Sequence, residues 1–363
     1  MPGQEQLKSS VIEKDLCSGC GMCVGMCPYI KTMRDRVRVI HPCGLNDGKC
    51  FKACPKAMLD VGQLDGLVFG ASRQDQALGI YRSVYFARSA GNKAAGAQYG
   101  GVASALMAFA IEEGLIDGSV MAGGTALDPK PVLAKTGREI MSCAGSKYTA
   151  VPTLAAFNEA VRCGAGRLGL VGRPCQVEAV RKMQYGNHMD SHINREKAVG
   201  LTLGLFCFWS LTPGFYDYLA EKAGGEEIIK VDIPLEGLTV TTPKGAAIRP
   251  VDEIRQYIKN TCNYCIDCTS EWADLSVGST EYDPQWNTLL VRTTSGEALV
   301  NRALEKGAIE VKPYPVERLP ILRKAALNKK VRILSAPGQA GPDYLKVPGR
   351  YIAEMKKQWE VLQ

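Results

Sequence analysis

Fourteen cysteines in 363 residues, seven of them between Cys17 and Cys54 and three more between Cys262 and Cys268, constrain this chain more than any other feature. In a small secreted scaffold such clusters would read as a disulfide framework. This chain is too long for that class, and its start (Met1-Pro2-Gly3-Gln4-Glu5-Gln6) has neither the basic region nor the apolar run of an export signal. A cytoplasmic protein is therefore expected, and in a reducing compartment clustered thiols are read first as metal ligands. The longest apolar stretch, Val199 to Leu211, falls short of the roughly 18 residues a membrane span needs, so none is expected. The 46% hydrophobic and 22% charged content is that of an ordinary folded protein, long enough for two domains and a further small module.

The front motif is specific. Cys17-x2-Cys20-x2-Cys23-x3-Cys27-Pro28 matches the bacterial ferredoxin run in every position. Three closely spaced thiolates wrap one cubane, while the fourth, followed by proline, reaches the other cluster. The partner motif lacks one cysteine. Counting back from Cys54-Pro55, Cys50 fills the third ligand position, Asp47 the second and Gly44 the first, with Cys43 one residue upstream. The segment resembles two-cluster ferredoxins, and their crossed ligation assigns Cys17, Cys20, Cys23 and Cys54 to one cluster. The other takes Cys27, Cys43 and Cys50, completed by Asp47 or left with an open site. A carboxylate is a harder ligand than thiolate and would leave its iron more labile. Alternatively Asp47 caps a loop, and the cluster is [3Fe–4S] or draws a distant ligand.

This reading changes the charge arithmetic. The formal net charge of +7 counts every cysteine as neutral. A [4Fe–4S] core with four thiolates carries about −2, so three clusters would bring the protein to about +1. Lys and Arg are scattered, with no basic stripe interleaved with aromatics, and no nucleic-acid partner is expected.

Beyond the front, periodicity predicts an α+β body. A strand is expected over 83–88, then a helix over 102–113 opened by Gly100-Gly101 and closed by Gly114. A helix over 153–162 leads to a buried strand over 168–171. Pro174 then stands at a first helical position before a helix over 176–183. Further strands are expected over 199–208, 228–233 and 238–242, the last pair turning through Pro243-Lys244-Gly245, and a short helix over 252–259. Strands over 288–293 and 309–311 flank a helix over 297–305. The expected organisation is a two-cluster ferredoxin module over 1–75, an α/β flavin-binding domain with its own cluster over 76–330, and a C-terminal arm over 331–363.

Cys262-x2-Cys265-x2-Cys268, followed by Trp272-Ala-Asp274-Leu-Ser276-Val-Gly278, suits a third cluster, with a zinc knuckle as the lesser alternative. Together with Gly100-Gly101-Val102-Ala-Ser-Ala-Leu, Cys143-Ala-Gly-Ser146-Lys147-Tyr148 and Val171-Gly172-Arg-Pro174-Cys175-Gln176, this segment resembles the beta subunits of coenzyme F420-reducing hydrogenase and F420-linked formate dehydrogenase. The four stretches occur in the family's order, and with the front motif the resemblance covers about 14–320. Chlorophyll-modifying reductases share the superfamily, so membership does not fix the substrate.

The resemblance implies an FAD-binding domain, a [4Fe–4S] cluster nearby and the deazaflavin coenzyme F420 docking against the flavin. Gln98, Gly100, Gly101, Val102, Ser146, Lys147, Tyr148, Gly172 and Pro174 are the expected flavin contacts, with Lys147 favouring the anionic reduced ring. Gly100-Gly101 before a helix lets backbone N–H groups approach a phosphate. The resemblance also brings Cys175 and Cys207 beside the late pair. The third cluster then takes either Cys175, Cys207, Cys262 and Cys265, leaving Cys268 spare, or Cys262, Cys265 and Cys268 with one distant thiolate. Cys143 and Cys163 are expected as buried small hydrophobes.

Other signals carry less. Gly164-x-Gly166-x-x-Gly169 precedes its strand instead of following it, so it is read as a loop. His188 and His192, spaced i, i+4 among polar residues, are read as a solvated face, as is the basic run Asn328-Lys-Lys-Val-Arg332. No hydrolase triad is apparent. The expected function is an electron-transferring subunit that links coenzyme F420 to a larger complex (a formate dehydrogenase, hydrogenase or heterodisulfide reductase) or to ferredoxin. A stand-alone ferredoxin-dependent reductase of an organic substrate and a flavin-less wiring subunit are the alternatives.

Overall fold

A computed structural model describes residues 3–91, 93–94, 96–185, 195–234, 236–335 and 343–363. The body is built on a mixed sheet of eight strands: β1 (Ser83–Ser89), β2 (Gly118–Gly124), β3 (Pro129–Ala134), β4 (Leu168–Gly172), β5 (Val199–Leu205), β6 (Leu275–Ser279), β7 (Asn287–Val291) and β8 (Ile309–Pro313). Their spatial order is β8-β1-β7-β6-β5-β4-β2-β3. The run β6-β5-β4-β2 is parallel and the flanking pairs are antiparallel. The parallel strands are short apolar runs buried on both faces, as a sheet covered by helices requires.

Helix α1 (Val102–Glu112) is buried through Val102 and Ala105 to Ala110 and packs into the main apolar cluster with Leu201, Leu203, Leu289 and Val300. Each such large side chain withdrawn from water contributes about 1.5–3 kcal/mol. Helices α2 (Thr153–Arg162) and α3 (Pro174–Tyr185) follow, the latter with Pro174 as its first residue, where a missing N–H costs nothing. Helix α4 (Thr294–Glu305) begins three residues earlier than its apolar pattern predicts, because the Thr293 hydroxyl accepts from the Gly296 N–H at 3.1 Å and caps it. Strand β5 ends at Leu205 instead of 208: the Cys207 N–H turns out of the sheet to the Cys268 carbonyl at 2.8 Å. The expected hairpin gains a third strand, Gly245–Arg249, and the helix expected over 252–259 is a 3-10 turn, Val251–Tyr257.

The C-terminal region differs most from expectation. Helix α5 (Leu319–Leu334) and helix α6 (Gly349–Leu362) lie together, with Ala326, Leu327 and Met355 buried in one cluster. Leu345–Lys346 pairs with Leu59–Asp60 of the front module, and the Gln358 amide bonds to the Gln74 carbonyl at 2.9 Å. The segment expected as an arm is therefore packed onto the protein. Lys329 and Lys330, expected on a solvated surface, are only 4% and 3% exposed. Their helix carries enough apolar surface to be buried, and acceptors on the body meet both ammonium groups. Among the described residues no helix is long and apolar enough to cross a membrane.

A buried ion network fixes the cysteine-bearing loop. Arg73 makes a bidentate pair with Asp65, 2.7 Å for each bond, and a further pair with Glu271. Lys330 reaches Glu271 at 2.6 Å, and the Trp272 indole donates to Asp65 at 2.9 Å. Removing one partner of such a set leaves a charge buried and unpaired. Arg73→Met is expected to destabilise the protein by about 3–5 kcal/mol, read as a large drop in the thermal unfolding midpoint; an unchanged midpoint would contradict this account of the network.

Candidate functional site

A cleft of about 340 Å³ opens at the carboxyl ends of the parallel strands, where open α/β sheets bind ligands. Met121 and Ala122 of β2, Val171 and Gly172 of β4, Leu205 of β5 and Val277 to Ser279 of β6 form its floor. Of the expected flavin contacts, Gln98, Gly101, Ser146, Lys147, Tyr148 and Gly172 line it, whereas Gly100, Val102 and Pro174 do not. Val102 is fully buried, and its N–H donates to Asn287 Oδ1 at 3.2 Å. Gly100 lies against β1: a Cβ there would stand 2.7 Å from the Ala87 carbonyl oxygen. Its glycine is explained by that close approach. Gly101 has φ of +69°, a left-handed conformation that starts α1.

The side chains in the cleft are organised before any ligand enters. The Tyr148 hydroxyl donates to Asp232 Oδ1 at 3.1 Å and accepts from the Gln98 amide at 3.3 Å and the Ile233 N–H at 3.1 Å. Burial, with the Asp232 carboxylate, raises its pKa and keeps it a neutral phenol. The Ser146 hydroxyl bonds to Gln98 Oε1, which ties three expected contacts into one strut. Lys147 Nζ donates to the Gly145 carbonyl at 3.1 Å, and burial lowers its pKa while the Cys143 thiol opposes that shift.

Behind the cleft lies a smaller cavity lined by Cys175, Cys207, Cys262 and Cys265, together with Ser18, Lys56, Lys259 and Lys329. Arg173, Cys207 and Trp209 line both spaces and form the wall between them. Cys268 is not in that lining; it packs with Ala77, Leu78 and Leu290. Lys329 Nζ donates to the carbonyls of Cys207 at 2.8 Å and Asp267 at 2.7 Å, clamping the two cysteine-bearing loops together. Burial works against its charge, but the sulfurs of Cys265, Cys207, Cys268 and Cys262 outweigh burial and raise its pKa. Arg173 Nη2 is buried without a hydrogen-bond partner, as are both oxygens of Glu178, whose pKa burial raises.

In the front module the thiols crowd one another. Cys20 and Cys23 are electrostatic neighbours of Cys17 and Cys54, and burial and that crowding raise both pKa values. Cys50 is pushed up to about 11 by burial and then by Cys27, with Cys54 and Cys43 also facing it. Asp47 points outward, 45% exposed, and pairs with Lys52 at 2.5 Å. The Cys175 thiol also raises the Cys20 pKa, and Ser18 of the front module lines the rear cavity. Among the described residues no three His, Cys, Asp or Glu side chains converge as ligands of a single metal ion. A cubane is bound at four different irons, one thiolate each, so its thiolates stand farther apart than ligands that share one ion.

Cys143 is buried as expected, but Cys163 is exposed at the end of α2, where its thiol meets Glu159 Oε1 at 3.6 Å. A helix end faces solvent, which overrides the burial preference of an unpaired cysteine. His188 and His192 lie outside the described residues. Sequence reasoning missed Arg173, Lys56 and Lys329. Lys56 directly follows Cys54-Pro55 and Arg173 precedes Pro174-Cys175, so adjacency to ligand motifs was the usable signal. Lys329 carried none.

Two family models match the chain: the N-terminal part of the coenzyme F420 hydrogenase/dehydrogenase beta subunit over residues 84–158, and its C terminus over residues 165–317. The chain is 34% identical over 269 residues to the coenzyme F420 hydrogenase subunit beta of Methanosarcina barkeri, covering 70% of this chain and 91% of that one. It is 30% identical over 320 residues to a component of the F420H2 dehydrogenase of Methanosarcina mazei, covering 85% and 88% respectively. A chain of the F420-reducing [NiFe] hydrogenase complex from Methanosarcina barkeri superposes with a TM-score of 0.65 at 31% identity, covering 74% of this chain and 98% of that one. The front cysteines lie outside both family models.

Gly100→Ala is expected to lower the stability of the ligand-free protein by about 1–3 kcal/mol, because the new methyl displaces backbone of β1. Thermal unfolding of the ligand-free chain checks this; an unchanged midpoint would return Gly100 to a ligand role.

Proposed function

Because the chain belongs to the family of coenzyme F420 hydrogenase/dehydrogenase beta subunits, we propose that it is an oxidoreductase subunit passing electrons between coenzyme F420 and a partner redox protein. In this reading FAD occupies the large cleft and iron–sulfur clusters occupy the thiol groups. The observation that carries it is the shared wall: Arg173, Cys207 and Trp209 face the ligand cleft on one side and the four-thiol cavity on the other. A deazaflavin exchanges a hydride and iron–sulfur clusters exchange single electrons, and a flavin can do both.

The residues suit these groups. Four thiols around one small cavity are a donor set for a cubane, which assigns Cys175, Cys207, Cys262 and Cys265 to it and leaves Cys268 as packing. Buried Lys56 and Lys329, with half-buried Arg173, supply positive charge against the negative charge of thiolate-bound iron. The unpartnered Arg173 Nη2 is a donor ready for an anionic group at the wall. Gln98, Ser146 and Tyr148 hold the cleft's shape, and Lys147 places an ammonium where it favours an anionic reduced flavin. In the front module Cys17, Cys20, Cys23 and Cys54 form one ligand set and Cys27, Cys43 and Cys50 the other. Asp47, facing solvent and paired to Lys52, would have to turn inward to complete the second set. The partner is a larger redox complex (a hydrogenase, formate dehydrogenase or heterodisulfide reductase) or a ferredoxin.

The test is anaerobic. Reduced coenzyme F420 is expected to bleach the flavin and then the cluster absorbance, while NADH is not. An intact flavin bleached by neither would contradict the proposal and point to a ferredoxin-driven reductase of an organic substrate. The ligand assignment is tested separately by iron and sulfide analysis. Cys207→Ser is expected to lose about one cluster's iron, about four atoms per chain, and Cys268→Ser none; the reverse pattern would assign Cys268 instead.

A further inference from the structure

The front module carries a two-stranded hairpin, Ile30–Met33 paired antiparallel with Arg36–Val39. Its inner face is apolar, with Ile30 and Val37 in the module's core. Its outer face is cationic. Lys31 stands directly across from Arg38, and Met33 across from Arg36. Like charges directly opposite on one face of a sheet destabilise it, so this face is arranged against the hairpin's own stability. Arg34 adds a further cation at the turn, with φ of 54°, a conformation that glycine adopts at lower cost.

Of the hairpin's cations only Arg36 meets carboxylates, Asp15 at 3.3 Å and the hairpin's one acid, Asp35, at 3.5 Å; Asp35 is buried and also paired with Lys259. Among the described residues Lys31, Arg34 and Arg38 have no ion pair. The apolar side chains Tyr29, Met33 and Ile40 are exposed on or beside the same hairpin. The base of the hairpin rests on the outer thiol group. The Ile30 N–H donates to the Cys27 carbonyl at 3.3 Å, and Gln4 bridges Cys27 Sγ at 3.7 Å to the Cys43 N–H at 2.8 Å.

We infer that this face is the docking surface for a small acidic one-electron carrier protein. Unpaired cations around exposed apolar side chains match an electrostatically steered interface with a small dry centre, as transient electron-transfer complexes have. The thiols beneath it explain why an electron carrier, and not another acidic protein, belongs there; in that respect the inference rests on the proposed clusters. A single electron crosses at this surface with no bond made or broken and no proton moved. The carrier is reduced as this chain is oxidised, or the reverse, and reduced coenzyme F420 is the ultimate reductant in the first case.

The experiment measures binding of a small acidic two-cluster ferredoxin to the full, iron-loaded chain by anaerobic calorimetry at low and high salt. The double variant Lys31→Glu/Arg38→Glu is compared with Lys135→Glu/Arg138→Glu, an equal change of exposed charge outside the hairpin, just after β3. The hairpin variant is expected to bind at least about tenfold more weakly at low salt, with the difference closing at high salt, and the control to bind normally. Equal loss in both variants, or no binding by the unaltered chain, would overturn the inference. So would a hairpin variant with normal ferredoxin affinity, whether its cluster potential moves or it merely stops binding vesicles of anionic phospholipid. Iron analysis of the same preparations separates this outcome from failure of the cluster assignment itself.

Discussion

The carboxylate of Glu271 is held between the guanidinium of Arg73 and the ammonium of Lys330, in a region from which water is excluded. These three groups come from the front module, the loop after the late cysteines and helix α5, so one buried ion set ties together distant parts of the chain. Arg292 extends it, donating to the carbonyls of Leu78 and Ile80 and to Thr269. A buried charge is tolerated only when paired and hydrogen-bonded, and here the pairing dictates where the loop over 262–276 can sit. The position of the late cysteines, and hence of the wall they share with the cleft, depends on that loop.

A second layer of buried cations follows the thiols themselves. Lys56 lines the rear cavity with Cys175 and Cys265, Lys329 clamps Cys207 to the loop of Asp267, and Arg173 stands in the wall. Each would be costly to bury in an apolar protein. Each is appropriate where several thiolates carry negative charge in a small volume, so the cation placement and the proposed clusters support one another. The C-terminal helices contribute Lys329 and Lys330, which makes them part of the site's construction.

Legibility in the sequence followed the range of the interactions involved. The Pro174 helix start and the sheet strands are local patterns, readable as spacing and periodicity. The choice of Cys175 and Cys207 to join Cys262 and Cys265 came from family resemblance, and the structure brings those four around one cavity with Cys268 packed elsewhere. Lys329 and Lys330 were misread as solvated because a basic run gives no local sign of the acceptors waiting on other elements. Gly100 was read as a phosphate contact because a glycine pair before a helix looks the same whether it meets a ligand or, as here, a strand backbone. Cys163 was expected to be buried because composition rules say nothing about which end of a helix meets water.

The proposal most exposed to test is that clusters in the rear cavity and the front module form a series from the ligand cleft toward the hairpin surface, Ser18 of the front module lining that cavity. Electron paramagnetic resonance of the fully reduced protein tests it most directly, since paramagnetic clusters in adjoining sites broaden and split one another's signals. The account predicts spin-coupled signals from the reduced chain, with the coupling simplified when Cys207→Ser removes the rear site. Magnetically isolated signals in the unaltered protein, or a spectrum that Cys207→Ser leaves unchanged, would contradict it.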